Sequence, residues 1–367
     1  MKRLTQLDGV RGMAILMVIV WHYFVRQTDA GLGPAVAAGR SAMGLMWSGV
    51  DLFFVLSGFL IAGILIDHRD ASNYFRVFYL RRAGRILPLY ILVLALFVLF
   101  ASGPLSRSAS FSWLFADPLP MWSYASFTQN VLMGLRGDYG PHGLGITWSL
   151  AVEEQFYLVL PLLIYVLPRR ALVFALALGV ASAPVLRHLS PGFHAFVNTP
   201  WRADSLLSGA LLAVLVRRPS FVAAVRRRRF ALASVFAVFV AGAAVLTFRP
   251  EPFGSLVHLW LAGLYSTLVL LAFLGDETPA GRVLARPALV WVGQRSYGIY
   301  LFHQAVSGLL HGAIRHRPPQ IQTPADAGIT LAALAVTLAL AALSYRFFES
   351  PLLRLGHRLA YARAPSR

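Results

Sequence analysis

Residues 49–66 read GVDLFFVLSGFLIAGILI, and Asp51 is the one ionisable side chain among them. An apolar run of this length matches a bilayer's hydrocarbon core, which takes about 20 residues of helix. Similar runs recur along the chain. Ten segments qualify as spans: 8–26, 45–66, 86–102, 148–167, 171–187, 203–216, 230–248, 256–274, 288–311 and 326–347. Those at 171–187 and 203–216 are short or weakly apolar. The composition agrees, with 57% hydrophobic and 13% charged residues. A soluble domain carries about 25% charged residues, so there is too little charge here to clothe a water-facing surface. The fold class expected is an all-α integral membrane protein with about ten transmembrane helices.

The net charge is +18, and 32 of the 33 basic residues are arginine. In a soluble protein such a charge would suggest nucleic acid. Here the arginines lie between apolar blocks, where they set orientation, so no nucleic acid partner is expected. With the N-terminus placed in the cytoplasm, 24 basic residues fall inside and 9 outside. The inside set runs from Lys2, Arg3 and Arg11 to Arg363 and Arg367. That asymmetry favours an even number of spans with both termini cytoplasmic. Met1 to Arg11 is basic and precedes an apolar stretch, as in a signal peptide, but no small-residue cleavage site follows; the segment is read as a retained first helix. Residues 1–351 then form one transmembrane domain and 352–367 a basic cytoplasmic tail, with no soluble domain after it. The chain has no cysteine, which excludes disulfides, thiolate metal sites and a thiol nucleophile.

Several polar residues interrupt the apolar runs. In the first span Arg11 and His22 are eleven residues apart, three helical turns, so they share a face about 16 Å apart along the axis. Arg11 either snorkels to headgroups or faces a ligand. His22, between Trp21 and Tyr23, is either an interfacial residue or a general base in a low-dielectric bundle. Asp51 either caps its helix or serves a site, and Ser57-Gly58 would let a neighbouring helix come close. Arg82 and Arg85 face one way at the mouth of the third span. They satisfy the positive-inside tendency or form a guanidinium fork for phosphates. Glu153 and Glu154 are adjacent in the fourth span, about 100° apart around the axis. One of them could charge-balance His22. Asp204 and His303 are further intramembrane candidates, and Glu349 at the inner boundary is expected to pair with an arginine. The histidines show no HExxH-type pairing, so no metal is expected. The long connection Ser102–Thr147 holds Trp113, Trp122, Tyr124 and Tyr139, and such aromatics suit the outer interface, where they could shape an acceptor site.

In order, the segments LDGVRG (7–12, with Arg11 and His22 in Arg-x10-His spacing), GVDLFFVLSGFLI (49–61), FYLRRAGRILPLY (78–90), WSLAVEEQFYLVLP (148–161) and SYGIYLFH (296–303) resemble the acyltransferase-3 family of bacterial membrane O-acyltransferases. The resemblance runs from Leu7 to about Pro351. It implies ten helices in the bacterial inner membrane and an acyl-CoA donor, most commonly acetyl-CoA, used from the cytoplasmic side. The acceptor it implies is a hydroxyl of a surface glycan, a glycolipid or a related molecule. Carried over by motif, Arg11 and His22 are the Arg-x10-His pair, Arg82 and Arg85 the Arg-x-x-Arg pair, and Glu153 and Glu154 the glutamate motif. Ser350 stands where the family's Glu-x-Pro motif usually has a charged residue. Some members carry a C-terminal esterase-like domain; without one, this chain is expected to complete transfer in the membrane or use a separate partner.

The mechanism expected has Arg82 and Arg85, helped by Arg11, holding the phosphates of acyl-CoA. His22, supported by Glu153 or Glu154, deprotonates an acceptor hydroxyl. Asp51, Ser57, Asp204 and His303 are candidates to contact or support the acceptor. No bound cofactor is expected, and the partners are acyl-CoA, a carbohydrate or lipid-linked acceptor and membrane lipids. The rival classes are a proton-coupled transporter using the same buried His and Glu residues and a non-enzymatic scaffold. Acceptor identity, acyl length, the choice between direct transfer and a covalent relay, and oligomeric state are not legible in the sequence.

Overall fold

A computed structural model describes residues 4–275 and 278–362; Lys2, Arg3, Arg363 and Arg367 lie outside the described residues. Among those described, the secondary structure is helical and no strand forms. Eight helices are long and apolar enough to cross a membrane. The helical stretch Thr199–Leu215 makes a ninth if it is taken with Pro219–Arg227, to which it joins at a 98° bend. The chain is therefore a multi-pass membrane protein.

The helices that matter for the site are α1 (Thr5–Ile19), α2 (Gly49–Asp67), α3 (Tyr74–Ser102), α4 (Trp148–Val166), α5 (Arg169–Leu189), α6 (Ala203–Leu215), α7 (Arg229–Phe248), α8 (Val257–Phe273), α9 (Pro287–Gln294), α10 (Ser296–Arg315) and α11 (Pro324–Ser344). The expected span 288–311 is thus two helices that meet at Arg295, and α10 is not among the apolar eight. The reason is its polar content: Ser296, His303, Ser307 and His311 are all buried. A helix whose polar groups turn inward need not be apolar all round. At the other extreme, α7 buries only Leu246 and presents its apolar side chains outward, as a helix at the lipid boundary does.

Two crossings bring backbones into contact, which lipid-embedded helices achieve with small residues because no hydrophobic gain drives them together. In the α2–α6 pair, a Cβ at Gly58 would lie 1.9 Å from the Leu206 carbonyl oxygen, and one at Gly209 would lie 1.9 Å from that of Val55. In the α1–α9 pair, Gly12 faces the Leu289 carbonyl and Gly293 faces that of Asp8. The glycines of LDGVRG therefore seat α1, and with it Arg11 and His22, at the centre of the bundle.

A buried ionic cluster locks α2 to α6 and α8. Arg202 and Asp51 are fully buried and 2.8 Å apart. The Asp51 carboxylate also accepts from Ser205 at 3.0 Å, and its Oδ1 lies 3.2 Å from Nδ1 of His258. The Arg202 guanidinium sits 5.0 Å from the ring of Phe196 and 5.6 Å from those of Phe54 and Trp148. Asp204 is paired with Arg187 at 2.6 Å. Asp51 and Asp204, both candidates for supporting an acceptor, thus serve ion pairs and line neither cavity described below.

Candidate active site

Two cavities lie along α1 and its continuation, one lined by Arg11 and the other by His22. The first, about 840 Å³ of empty space including open solvent, is the cationic one. Arg11 enters it from α1, Ser57 from α2, Arg82 and Arg85 from α3, and Glu153 and Tyr157 from α4. The three arginines picked out in the sequence thus converge, though 74 residues separate Arg11 from Arg85. Three guanidiniums facing one carboxylate leave an excess of positive charge that suits phosphate groups. Arg11 also bonds Asp8 at 3.2 Å, one turn back. Glu153 accepts from the Tyr157 hydroxyl at 2.9 Å, which lies 2.5 Å from Ser57 Oγ. Arg82 and Arg85 also line a smaller recess with Arg81, Leu352 and Tyr361.

The second cavity, about 1540 Å³ on the same measure, holds His22. Trp21, Trp47, Trp113, Tyr139, Trp148 and Phe196 form much of its wall. The connection after α3 supplies Trp113, Asp117, Tyr139, Gly140 and His142 to that wall, so this segment does shape the cavity. Of its other aromatics, Tyr124 is buried and Trp122 is 61% exposed. Burial first, and then the nearby Arg26 guanidinium, push His142 down to about 4, so it is neutral near pH 7.

His22 lies in a stretch of π-helix, Val20–Val25, that continues α1; the Arg26 amide donates to the Trp21 carbonyl, five residues back. Such wide turns inside α-helices recur at functional sites. A second one, Tyr345–Glu349, contains Glu349. Among the described residues Glu349 has no ion pair; it accepts from Ser344 at 2.8 Å, so the expected arginine partner is replaced by a hydroxyl.

The partner of His22 is His303. Nε2 of His303 is 3.2 Å from Nδ1 of His22, and the ring centroids are 4.9 Å apart. The tautomers follow from what each nitrogen faces. His303 Nδ1 is 2.6 Å from the Tyr300 carbonyl oxygen, which can only accept, so that nitrogen carries the hydrogen and Nε2 of the neutral ring accepts. His22 Nδ1 faces this acceptor and the Val18 carbonyl at 3.0 Å, so it too is the protonated nitrogen. Nε2 of His22 is left with a free lone pair, the arrangement a general base needs.

That assignment corrects one expectation. Glu153 and Glu154 make no hydrogen bond or ion pair with His22. Glu153 belongs to the arginine cavity, and Glu154 lines neither cavity and has a buried Oε1 without a partner. His303 takes the orienting position intended for them. It is itself held by the Tyr23 hydroxyl, which donates to the His303 carbonyl at 2.7 Å.

The two cavities meet at Val50 and Tyr300, each of which lines both. The Tyr300 hydroxyl donates to the Ile146 carbonyl at 2.8 Å and lies 2.6 Å from Ser149 Oγ. Tyr157, Tyr300, Arg26 and His142 were not singled out by the sequence, although Arg26 stands four residues after His22 and His142 sits in the aromatic connection. Among the described residues no group of three His, Asp or Glu side chains is placed to hold a metal ion.

A family model described as "Acyltransferase domain" matches residues 4–346. The chain is 27% identical to "Peptidoglycan O-acetyltransferase OatA" of Listeria monocytogenes, over 97% of this chain and 56% of that protein. It is 30% identical to "Putative peptidoglycan O-acetyltransferase YrhL" of Bacillus subtilis, over 96% of this chain and 55% of that protein. The chain thus spans just over half the length of these curated relatives. No solved structure matches it. With a match over nearly its whole length, and with the family's arginine and histidine motifs gathered around two meeting cavities, the chain belongs to the acyltransferase-3 family of membrane acyltransferases.

Proposed function

We propose that this chain carries an acyl group, most simply acetyl, from acyl-CoA bound at the arginine cavity to a glycan hydroxyl bound at the His22 cavity. In this reading the arginine cavity faces the cytoplasm of a bacterial inner membrane, both termini are cytoplasmic, and ten segments span. Arg82, Arg85 and Arg11 hold the phosphates of CoA, and its extended arm carries the thioester towards the junction at Val50 and Tyr300. His22 Nε2 takes the proton of the acceptor hydroxyl as its oxygen attacks the thioester carbonyl. The new C–O bond forms, the C–S bond breaks, and the proton is returned to the departing thiolate. His303 holds His22 in the competent tautomer.

The observation that carries this reading is the shared wall: a cavity rich in guanidiniums and one holding a histidine with a free lone pair have Val50 and Tyr300 in common. The relatives named as peptidoglycan O-acetyltransferases support a glycan as acceptor. The aromatic walls around His22 also suit sugar rings, whose C–H faces stack on indoles. A test is donor binding. Arg85→Ala should raise the KM for acetyl-CoA about 10-fold with kcat little changed, the loss of one charge-assisted contact. An unchanged KM would return Arg85 to setting topology alone.

A further inference from the structure

Four residues beyond His22, just after the π-helix, stands Arg26. Its side chain is exposed and lines the His22 cavity and also a further opening formed with Arg40, Asp29 and Arg317. The neighbouring charged side chains each have hydrogen-bond partners other than Arg26. Arg40 donates to the Thr28 carbonyl, and Arg317 pairs with Asp326 at 3.2 Å. Asp29 accepts from the Gly31 amide at 2.9 Å. Asp117, the one acidic side chain on the His22 cavity's wall, makes no ion pair with Arg26. Among the described residues Arg26 therefore brings a positive charge to the cavity wall without an ion pair of its own. Arg26 shares the cavity wall with Tyr139 and His142. Residues one helical turn apart lie roughly 5–6 Å from each other at Cβ, a separation on the scale of one sugar ring.

Taking the His22 cavity as the acceptor site, as proposed above, we infer that Arg26 binds an anionic group, a carboxylate or a phosphate, carried by the acceptor about one sugar ring from the hydroxyl that is acylated. The acceptor class is then an acidic glycan rather than a neutral one. Arg26 selects it by a charge-assisted contact that a neutral glycan cannot make. No bond is made or broken at Arg26; it sets which acceptor is held and in which direction it lies.

The test is a binding measurement that does not depend on turnover. Binding is read from quenching of the wall tryptophans, in the His22→Ala protein in detergent. The probes are trigalacturonate, its fully methyl-esterified form and a phosphorylated glucose disaccharide. At low salt the carboxylate or the phosphate probe should bind about 10-fold tighter than the neutral ester; which of the two does so names the source of the charge. Arg26→Gln should abolish that preference and Arg26→Lys should keep most of it. Because the Arg26 side chain makes no hydrogen bond or ion pair among the described residues, neither variant should unfold. Binding that ignores charge, or a preference that survives Arg26→Gln, overturns the assignment of Arg26 and leaves the acceptor site standing. No binding by any of the three overturns both.

Discussion

The contact between His22 and His303 permits a quantitative test of the proposed catalytic role. Removing a positioned general base costs about 10²–10⁴ in rate, so His22→Ala should lower kcat by that factor. His303→Phe keeps the volume of a buried ring but deletes the acceptor 3.2 Å from His22 Nδ1. The Val18 carbonyl at 3.0 Å still holds the same hydrogen, so the loss is that of one neutral hydrogen bond, about 1 kcal/mol or a factor of about 5. His303→Gln, whose amide oxygen can accept, should recover part of it. The distinguishing value is the double variant. If His303 acts only by orienting His22, then once His22 is gone His303 has nothing to orient, and the double variant should turn over no more slowly than His22→Ala. If His303 has an independent role, the two costs add and the double variant should fall a further factor of about 5. The assay is release of the CoA thiol from acetyl-CoA in proteoliposomes supplied with acceptor, with the KM for donor unchanged throughout. A double variant slower than His22→Ala would refute the orienting role, and so would a His303→Phe protein with unaltered kcat.

Two further predictions concern the frame that holds the site. Gly209→Ala places a Cβ 1.9 Å from the Val55 carbonyl oxygen, so it should cost about 1–3 kcal/mol or more and lower the melting temperature in detergent. Gly84→Ala, at a helical glycine with nothing within 4 Å, should leave it unchanged or raise it slightly; equal melting of the two variants would contradict the close packing of α2 on α6. Asp51→Ala strips the carboxylate from a fully buried Arg202, a loss of about 3–5 kcal/mol, whereas Asp51→Leu with Arg202→Met should recover much of it. A single variant as stable as the parent would show that the pair is dispensable.

What the sequence could disclose was local. Arg11, His22 and Glu153 stand out because each is polar within an apolar run, and a membrane penalises such residues unless they have a use; Arg82 and Arg85 stand out as a pair three apart at the mouth of a span. Ser57-Gly58 was legible as a close helix crossing for a similar reason, and the structure supplies its partner, Gly209. The parts that were not legible depend on chain segments far apart. Nothing in the spacing brings His303 to His22 across 281 residues, or Arg202 to Asp51 across 151. A pairing of His22 with Glu153 or Glu154 rested on charge complementarity without knowledge of depth, and the structure sets Glu153 in the arginine cavity and Glu154 in neither cavity. The division of 288–311 into two helices was hidden because an apolar count cannot distinguish one span from a short helix followed by a partly polar one.

The measurement that tests the proposed transfer most directly is its sidedness. The protein is reconstituted in one orientation in sealed vesicles, with acetyl-CoA confined to the face of Arg82 and Arg85 and the glycan acceptor to the face of His22. Acetylated glycan should accumulate at the rate at which free CoA thiol appears on the opposite side, and blocking the junction with Val50→Trp should stop both. Product that forms only when donor and acceptor share one face, or transfer undiminished by Val50→Trp, would contradict passage of the acyl group between the two cavities.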